Sequence, residues 1–209
     1  MDRPDCMSGG ALPPLEDSQL LALALDGRQG PAALARARRD LRASASLRAL
    51  LGPEPAPGVP ALRWARLRAV AELMRRAELE PLTQGSALLS PDSVRRFLQL
   101  WLHDRPVECF VGVFLDSQHR VIAARELFRG TLAQTAVYPR EVARQALRLN
   151  AAAIILAHNH PSGVAEPSAA DRLLTDALRS ALGQLDIPVL DHLIVAGNRC
   201  VSFAERGWL

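Results

Sequence analysis

The stretch with the most chemistry in it is His158-Asn159-His160-Pro161-Ser162-Gly163, followed by Ser168 and Asp171. Side chains alternate along an extended chain, so residues at i and i+2 point the same way. His158 and His160 can therefore offer two imidazoles to one metal ion. Asp171 falls on the first turn of a predicted helix, and Pro161, Gly163 and Pro167 let the loop between fold back. Two histidines and one carboxylate, with a fourth position left for water, make the ligand set of a catalytic zinc; a structural site closes that position with protein. A plainer reading stands beside this one. Ser168-x-x-Asp171 is also a capping box, with Ser168 as N-cap and Asp171 answering three residues on. His158 taken alone reads as a satisfied loop histidine. The letters His-Asn-His are not the nuclease motif of that name, which spreads its residues over a ββα element.

The elements that must position these residues can be read from the pattern. Residues 152–157 form a short, fully apolar run, which predicts a buried strand leading directly into His158. Residues 107–115 and 121–127 are β-rich runs, joined as a hairpin by Asp116-Ser117-Gln118-His119. Ser90 as cap and Pro91 at the first position open a helix to about His103. Residues 139–149 predict a helix with Val142, Ala146 and Leu149 on one stripe. Residues 168–182 predict another, with Leu173, Leu174, Ala177 and Leu178 facing inward. Residues 189–195 and 200–203 close the chain as strands around the turn Ala196-Gly197-Asn198-Arg199. Upstream, no strand pattern appears. Helices are expected over 20–25, 31–39, 46–51 and 62–77, the last preceded by the Pro- and Gly-rich joint 52–60. The boundary between this helical part and the mixed part is expected near 80–89, where the polar stretch Thr83 to Ser86 follows a charged run.

Composition narrows the classes. The chain has 209 residues, 49% of them hydrophobic and 22% charged, which is a globular balance sufficient for one large or two small domains. No run approaches the roughly 18 apolar residues of a membrane span. Residues 1–15 lack the basic start and apolar core of a secretory signal, and Met7 is an alternative start. Cys6, Cys109 and Cys200 are far apart and odd in number, which argues against a disulfide framework or a cysteine zinc site and suits a reducing cytoplasm. All 25 basic residues are arginine, so Schiff-base lysine chemistry and a P-loop lysine are excluded; a GC-rich genome accounts for the bias. Eleven arginines fall between residues 28 and 76, against only Asp40, Glu54 and Glu72. Arg36, Arg38 and Arg39 are the candidates there for contact with the phosphates of DNA, although most arginine runs are solvated faces that bury their stems. Aromatic residues at 4% give stacking on single-stranded nucleic acid little support. Trp64, Trp101 and Trp208 read as packing residues. His192, beside Asp191, reads as a buried structural histidine, with a supporting role behind a metal ligand as the alternative.

The pattern as a whole is more specific than its parts. His-x-His-Pro, six residues, then Ser-x-x-Asp is the JAMM/MPN+ motif, and the chain fits it without a gap. With it, the strings AxxILAHNHPSGxAEPSxAD, LDHLIVAG and VSFAERGWL closely resemble the RadC family, the bacterial branch of the JAMM/MPN proteins, over residues 90–209. The resemblance implies an α/β JAMM/MPN domain at 88–209, a mixed sheet flanked by helices. It implies a small all-helical domain at 1–84 with a degenerate helix-hairpin-helix-like turn. There Gly58-Val59-Pro60 sets proline where the family carries a second glycine, removing an N–H that a phosphate could meet. One zinc per chain, or manganese in its place, is implied on His158, His160 and Asp171. The family motif also demands a glutamate on an upstream strand. Glu108, the one acidic residue in VECFVGVFL, stands there; its bland reading is a strand-edge glutamate facing water, and Glu126 and Glu141 compete for the role. The implied roles are general base for Glu108 and oxyanion donor for Ser168. The expected function is zinc-dependent hydrolysis of a peptide or isopeptide bond in a peptide or protein substrate, in the cytoplasm and away from membranes. The alternatives are a metal-dependent DNA-processing protein, prompted by the arginine-rich stretch and the family's association with DNA repair, and a non-catalytic MPN scaffold.

Overall fold

The structure is a computed structural model that describes residues 14–44, 46–52, 55–84, 91–103, 105–130 and 137–209. Cys6, Met7, Glu54 and Ser90 lie outside the described residues. The chain forms two compact units, residues 1–67 and 68–209.

The first unit is helical, as its sequence predicts: α1 (Asp17–Asp26), α2 (Pro31–Arg42), α3 (Leu47–Leu50) and the start of α4 (Ala61–Gln84). Leu21, Ala22, Leu25, Ala33, Ala37, Leu50, Val59 and Leu67 make its core. Gly27 ends α1 in the left-handed region that favours glycine, its amide bonding the Leu23 carbonyl. The units divide inside α4, earlier than the boundary expected at 84–88. The first turns of this helix face the α1–α2 core through Trp64 and Leu67, whereas Leu79 and Leu82 belong to the core of the second unit. One helix thus contributes to two cores, which its unbroken helical sequence conceals.

The second unit is built on two central strands that are largely apolar because both their faces are covered. These are β1 (Cys109–Leu115) and β3 (Ala153–Asn159), every residue of which is buried. With β2 (Val121–Arg129), β4 (Val189–Ala196) and β5 (Arg199–Ser202) they form one sheet in the order β2-β1-β3-β4-β5. The β3–β4 pair is parallel and the other three are antiparallel. This is the mixed sheet that the resemblance implies. Val111, Val113, Ile155 and Val195 face α5 (Pro91–Leu102). Phe110, Phe114, Ile154 and Leu156 face α6 (Pro139–Arg148) and α7 (Ala169–Gly183).

Two local expectations are corrected. β3 does not stop at Ala157 but runs on through His158 and Asn159. The inward stripe of α7 is Asp171, Thr175, Leu178 and Leu182, while Leu173 is 71% exposed and Ala177 also faces water. Hydrophobic spacing misses this stripe because two of its core-facing positions are polar. No helix of the described residues is long and apolar enough to cross a membrane.

The first unit carries a buried ion cluster. Arg63 donates through Nη1 to both carboxylate oxygens of Asp26 at 3.0 Å and through Nε to Asp40 at 2.8 Å, tying α1, α2 and α4 together. Burial opposes the charge on Asp26, but hydrogen bonds from Arg63 and Arg36 outweigh it and hold the carboxyl below its ordinary value. Because the folded value is depressed, this stabilisation is present above the usual aspartate pKa of about 3.9 and is lost as pH falls below it. Replacing Arg63 by methionine strands the buried Asp40 carboxylate and leaves Asp26 only its ion pair with Arg36. The substitution is expected to destabilise the first unit by about 3–5 kcal/mol, seen as lost hydrogen-exchange protection of α1 and α2; protection equal to wild type would show that the cluster contributes nothing.

Candidate metal centre

The site grows out of strand parity. Phe110 on β1 pairs with His158 on β3, and both point to the α7 side of the sheet. Glu108, two residues before Phe110, and His160, two after His158, share that side. The His160 amide continues the ladder by donating to the Val195 carbonyl at 2.8 Å. The chain then turns through Gly163, whose φ of +79° favours glycine. A bidentate ion pair between Arg206 and Glu166, at 2.6 and 2.9 Å, ties the following segment to the C-terminal residues.

The loop delivers Ser168 as N-cap of α7, and here both readings of Ser168-x-x-Asp171 hold at once. The Asp171 amide donates to Ser168 Oγ at 3.2 Å, and the Ser168 amide donates to Asp171 Oδ2 at 2.7 Å. The Ser168 hydroxyl also donates to Oδ2, at 2.6 Å. The cap fixes Asp171 through one carboxylate oxygen and leaves Oδ1 turned toward His158.

Three donors converge as a result. His158 Nε2 and His160 Nε2 are 3.0 Å apart. Asp171 Oδ1 is 3.1 Å from the first, and Asp171 Oδ2 is 3.5 Å from the second. Zinc–ligand bonds of about 2.0–2.1 Å in a tetrahedron set ligand atoms about 3.3 Å apart, so this donor set fits one zinc ion in both chemistry and spacing. His158 is 1% exposed, and its two partners are partly open on the solvent side. Burial alone would raise the Asp171 carboxyl; hydrogen bonds with His158, His160 and Ser168 outweigh it and hold it far below the carboxylate range. The same carboxylate raises the His160 imidazole.

Glu108 sits immediately before β1, its carbonyl accepting the Gly130 amide at 2.7 Å. Its Oε1 lies 3.9 Å from His158 Nε2, with about a third of the side chain exposed. That gap is too wide for a direct hydrogen bond. The competing carboxylates are engaged elsewhere: Glu126 with Arg129 and Arg105, and Glu141 with Arg144.

A family model described as the RadC-like JAB domain matches residues 88–208. The chain belongs to the RadC family. It is 54% identical to a UPF0758 protein of Chromobacterium violaceum, covering 93% of this chain and 90% of that one. UPF0758 proteins of Aeromonas hydrophila and Nitrosomonas eutropha are 51% and 50% identical, over 93% and 92% of this chain and 90% and 89% of theirs. The matched span of this RadC-family chain contains Glu108, His158, His160, Ser168 and Asp171.

Two participants went unnoticed in the sequence. Asn159, between the two histidines, points to the opposite face and is buried. Its Oδ1 accepts the Cys109 amide at 2.8 Å, and its Nδ2 donates to the carbonyls of Arg105 and Val107 at 3.3 and 3.1 Å. It staples the segment bearing Glu108 to the strand bearing His158. The signal was available: a polar residue inside a buried strand must find partners. Thr175 is the second, one turn beyond Asp171 on the same helix face. It touches His192, whose ring is fully buried behind His158, and burial pushes that imidazole well below its ordinary value.

The tryptophans pack, as expected: Trp64 on the first unit's core, Trp101 against Phe97, Trp208 against Phe203 and Arg172. Of the three arginines assigned to DNA, Arg36 pairs with Asp26 at 3.2 Å, while Arg38 and Arg39 are exposed on α2. Replacing Asn159 by leucine leaves the Cys109 amide unpaired in the core. An expected loss of about 1–3 kcal/mol is read by denaturant unfolding, together with faster exchange of the Cys109 amide; unchanged exchange would rule out the staple.

Proposed function

We propose that this RadC-family protein is a zinc-dependent hydrolase that cleaves peptide or isopeptide bonds. The observation that carries the reading is the Glu108 carboxylate, 3.9 Å from His158 Nε2 and on the same side of the sheet as the three converging donors. A zinc ion held by His158, His160 and Asp171 would lower the pKa of water from 15.7 to about 7 and polarise a carbonyl. Glu108 accepts the proton of the attacking water and returns it to the leaving amine. Ser168 is assigned to the oxyanion that develops on the substrate carbonyl. Its single hydroxyl proton lies on Asp171 Oδ2, so it must release that oxygen to make the new bond. A groove of about 330 Å³ opens beside His160, walled by Leu102, Pro106, Pro161 and Gly163.

The test starts with metal content by mass spectrometry on protein prepared without chelator. Wild type is expected to carry about one zinc per chain, and a His158→Ala/His160→Ala double variant none. Glu108→Gln is expected to keep the metal and lose about 10²–10⁴-fold in cleavage of a peptide and isopeptide panel. Metal-free wild type would overturn the ligand assignment, and full turnover by Glu108→Gln would remove Glu108 as the base.

A further inference from the structure

His158 does not end at its metal-facing nitrogen. Its Nδ1 is 2.9 Å from His192 Nε2, and His192 Nδ1 is 2.6 Å from Thr175 Oγ1. The Thr175 hydroxyl in turn donates to the Asp171 carbonyl at 2.6 Å. A hydroxyl has one proton to give, and a carbonyl has none. The Thr175 proton is therefore committed to Asp171, and Thr175 Oγ1 can only accept from His192. That requires a proton on His192 Nδ1.

His192 is 0% exposed. Its ring nitrogens meet only Thr175 and His158, and among the described residues no carboxylate reaches either of them. A charged imidazole there would be buried without a counter-ion. The neutral ring, protonated at Nδ1, carries a lone pair on Nε2. That lone pair takes the proton on His158 Nδ1, which leaves His158 Nε2 as the nitrogen free for a metal. His160 reaches the same state by a separate route, its Nδ1 bonding the Val164 carbonyl at 2.7 Å. Phe110 and Phe203 flank the His192 ring, with centroids 5.5 and 4.9 Å away, and hold it in line.

We infer that His192 and Thr175 are positioning residues that fix the tautomer and orientation of His158 for metal binding, through a chain of hydrogen bonds running back to the ligand helix at Asp171. The chain is closed. Asp171 supplies a ligand through its carboxylate and, through its own carbonyl, sets the polarity that presents another ligand. Orienting groups of this kind change metal affinity by about 10–100-fold when removed.

This inference rests on the metal-site reading, and the experiment separates the two. Zinc affinity is measured by chelator competition for wild type, Thr175→Val, Thr175→Ser and His192→Phe. Thr175→Val keeps the shape and loses the hydroxyl; it is expected to weaken zinc binding by about 10–100-fold. Thr175→Ser restores the hydroxyl and with it the affinity. His192→Phe keeps a ring and is expected to weaken binding by a similar factor. Zinc bound by Thr175→Val and His192→Phe as tightly as by wild type overturns the inference while leaving the metal site standing. Nitrogen-15 NMR of metal-free wild type, taken well above the usual histidine pKa of about 6.5, reads the tautomers directly, whether or not a variant folds and whether or not zinc binds. Protons on Nδ1 of both His192 and His158 are expected; a bare Nδ1 on either ring overturns the chain.

Discussion

Two imidazole nitrogens and a carboxylate lie 3.0 to 3.5 Å apart, and their facing lone pairs repel unless a proton or a metal cation sits among them. That crowding is the constraint on which the domain is organised. Groups free to move would turn away into water, so each donor must be held by something stiffer than a side chain. His158 is held by a central strand with neighbours on both sides. His160 follows on the same strand direction and is pinned through its ring to Val164. Asp171 is held by the cap of a helix. None of the three depends on a long flexible side chain, and the arrangement survives because the sheet and α7 pack against each other across an apolar core.

The position of Asp171 resolves an electrostatic conflict. The first turn of α7 presents the positive end of the helix dipole, a poor neighbour for a metal cation. A carboxylate at the third helical residue answers the dipole and the cation together. Its Oδ2 closes the capping box and its Oδ1 is spare. The capping box therefore belongs to the site: it orients the Asp171 carboxylate and neutralises the turn that supports it.

How much of this could be read beforehand follows from what is local. Strand parity gave the pairing of His158 with His160, and the uninterrupted apolar run before them gave the buried strand. Hydrophobic spacing does not mark the inward face of α7, because Asp171 and Thr175 occupy two of the four inward positions. Leu173, chosen instead, lies in water. The contact between His158 and His192 joins residues 34 apart, across the parallel pairing of β3 with β4. Nothing in either segment announces it, since it depends on register. The division of the chain inside α4 was hidden for a related reason: a continuous helix gives no sign of which core each of its turns enters.

The arginine-rich stretch shows the same gap between composition and surface. Read as a string, residues 28–76 carry a large positive excess. In the folded first unit, Arg36 and Arg63 are drawn to Asp26, Arg63 also to Asp40, and Arg66 to the Leu25 carbonyl. In the second unit Arg75 and Arg76 grip Glu72, and their hydrogen bonds hold its carboxyl down at about 2. An arginine committed to a carboxylate within its own fold presents little free charge to a phosphate, and a guanidinium that must break such a pair first gains less from counterion release on binding DNA. The charge that matters for an anionic partner is that left after these internal pairings, and Arg38 and Arg39 on α2 stand on the exposed side of that division.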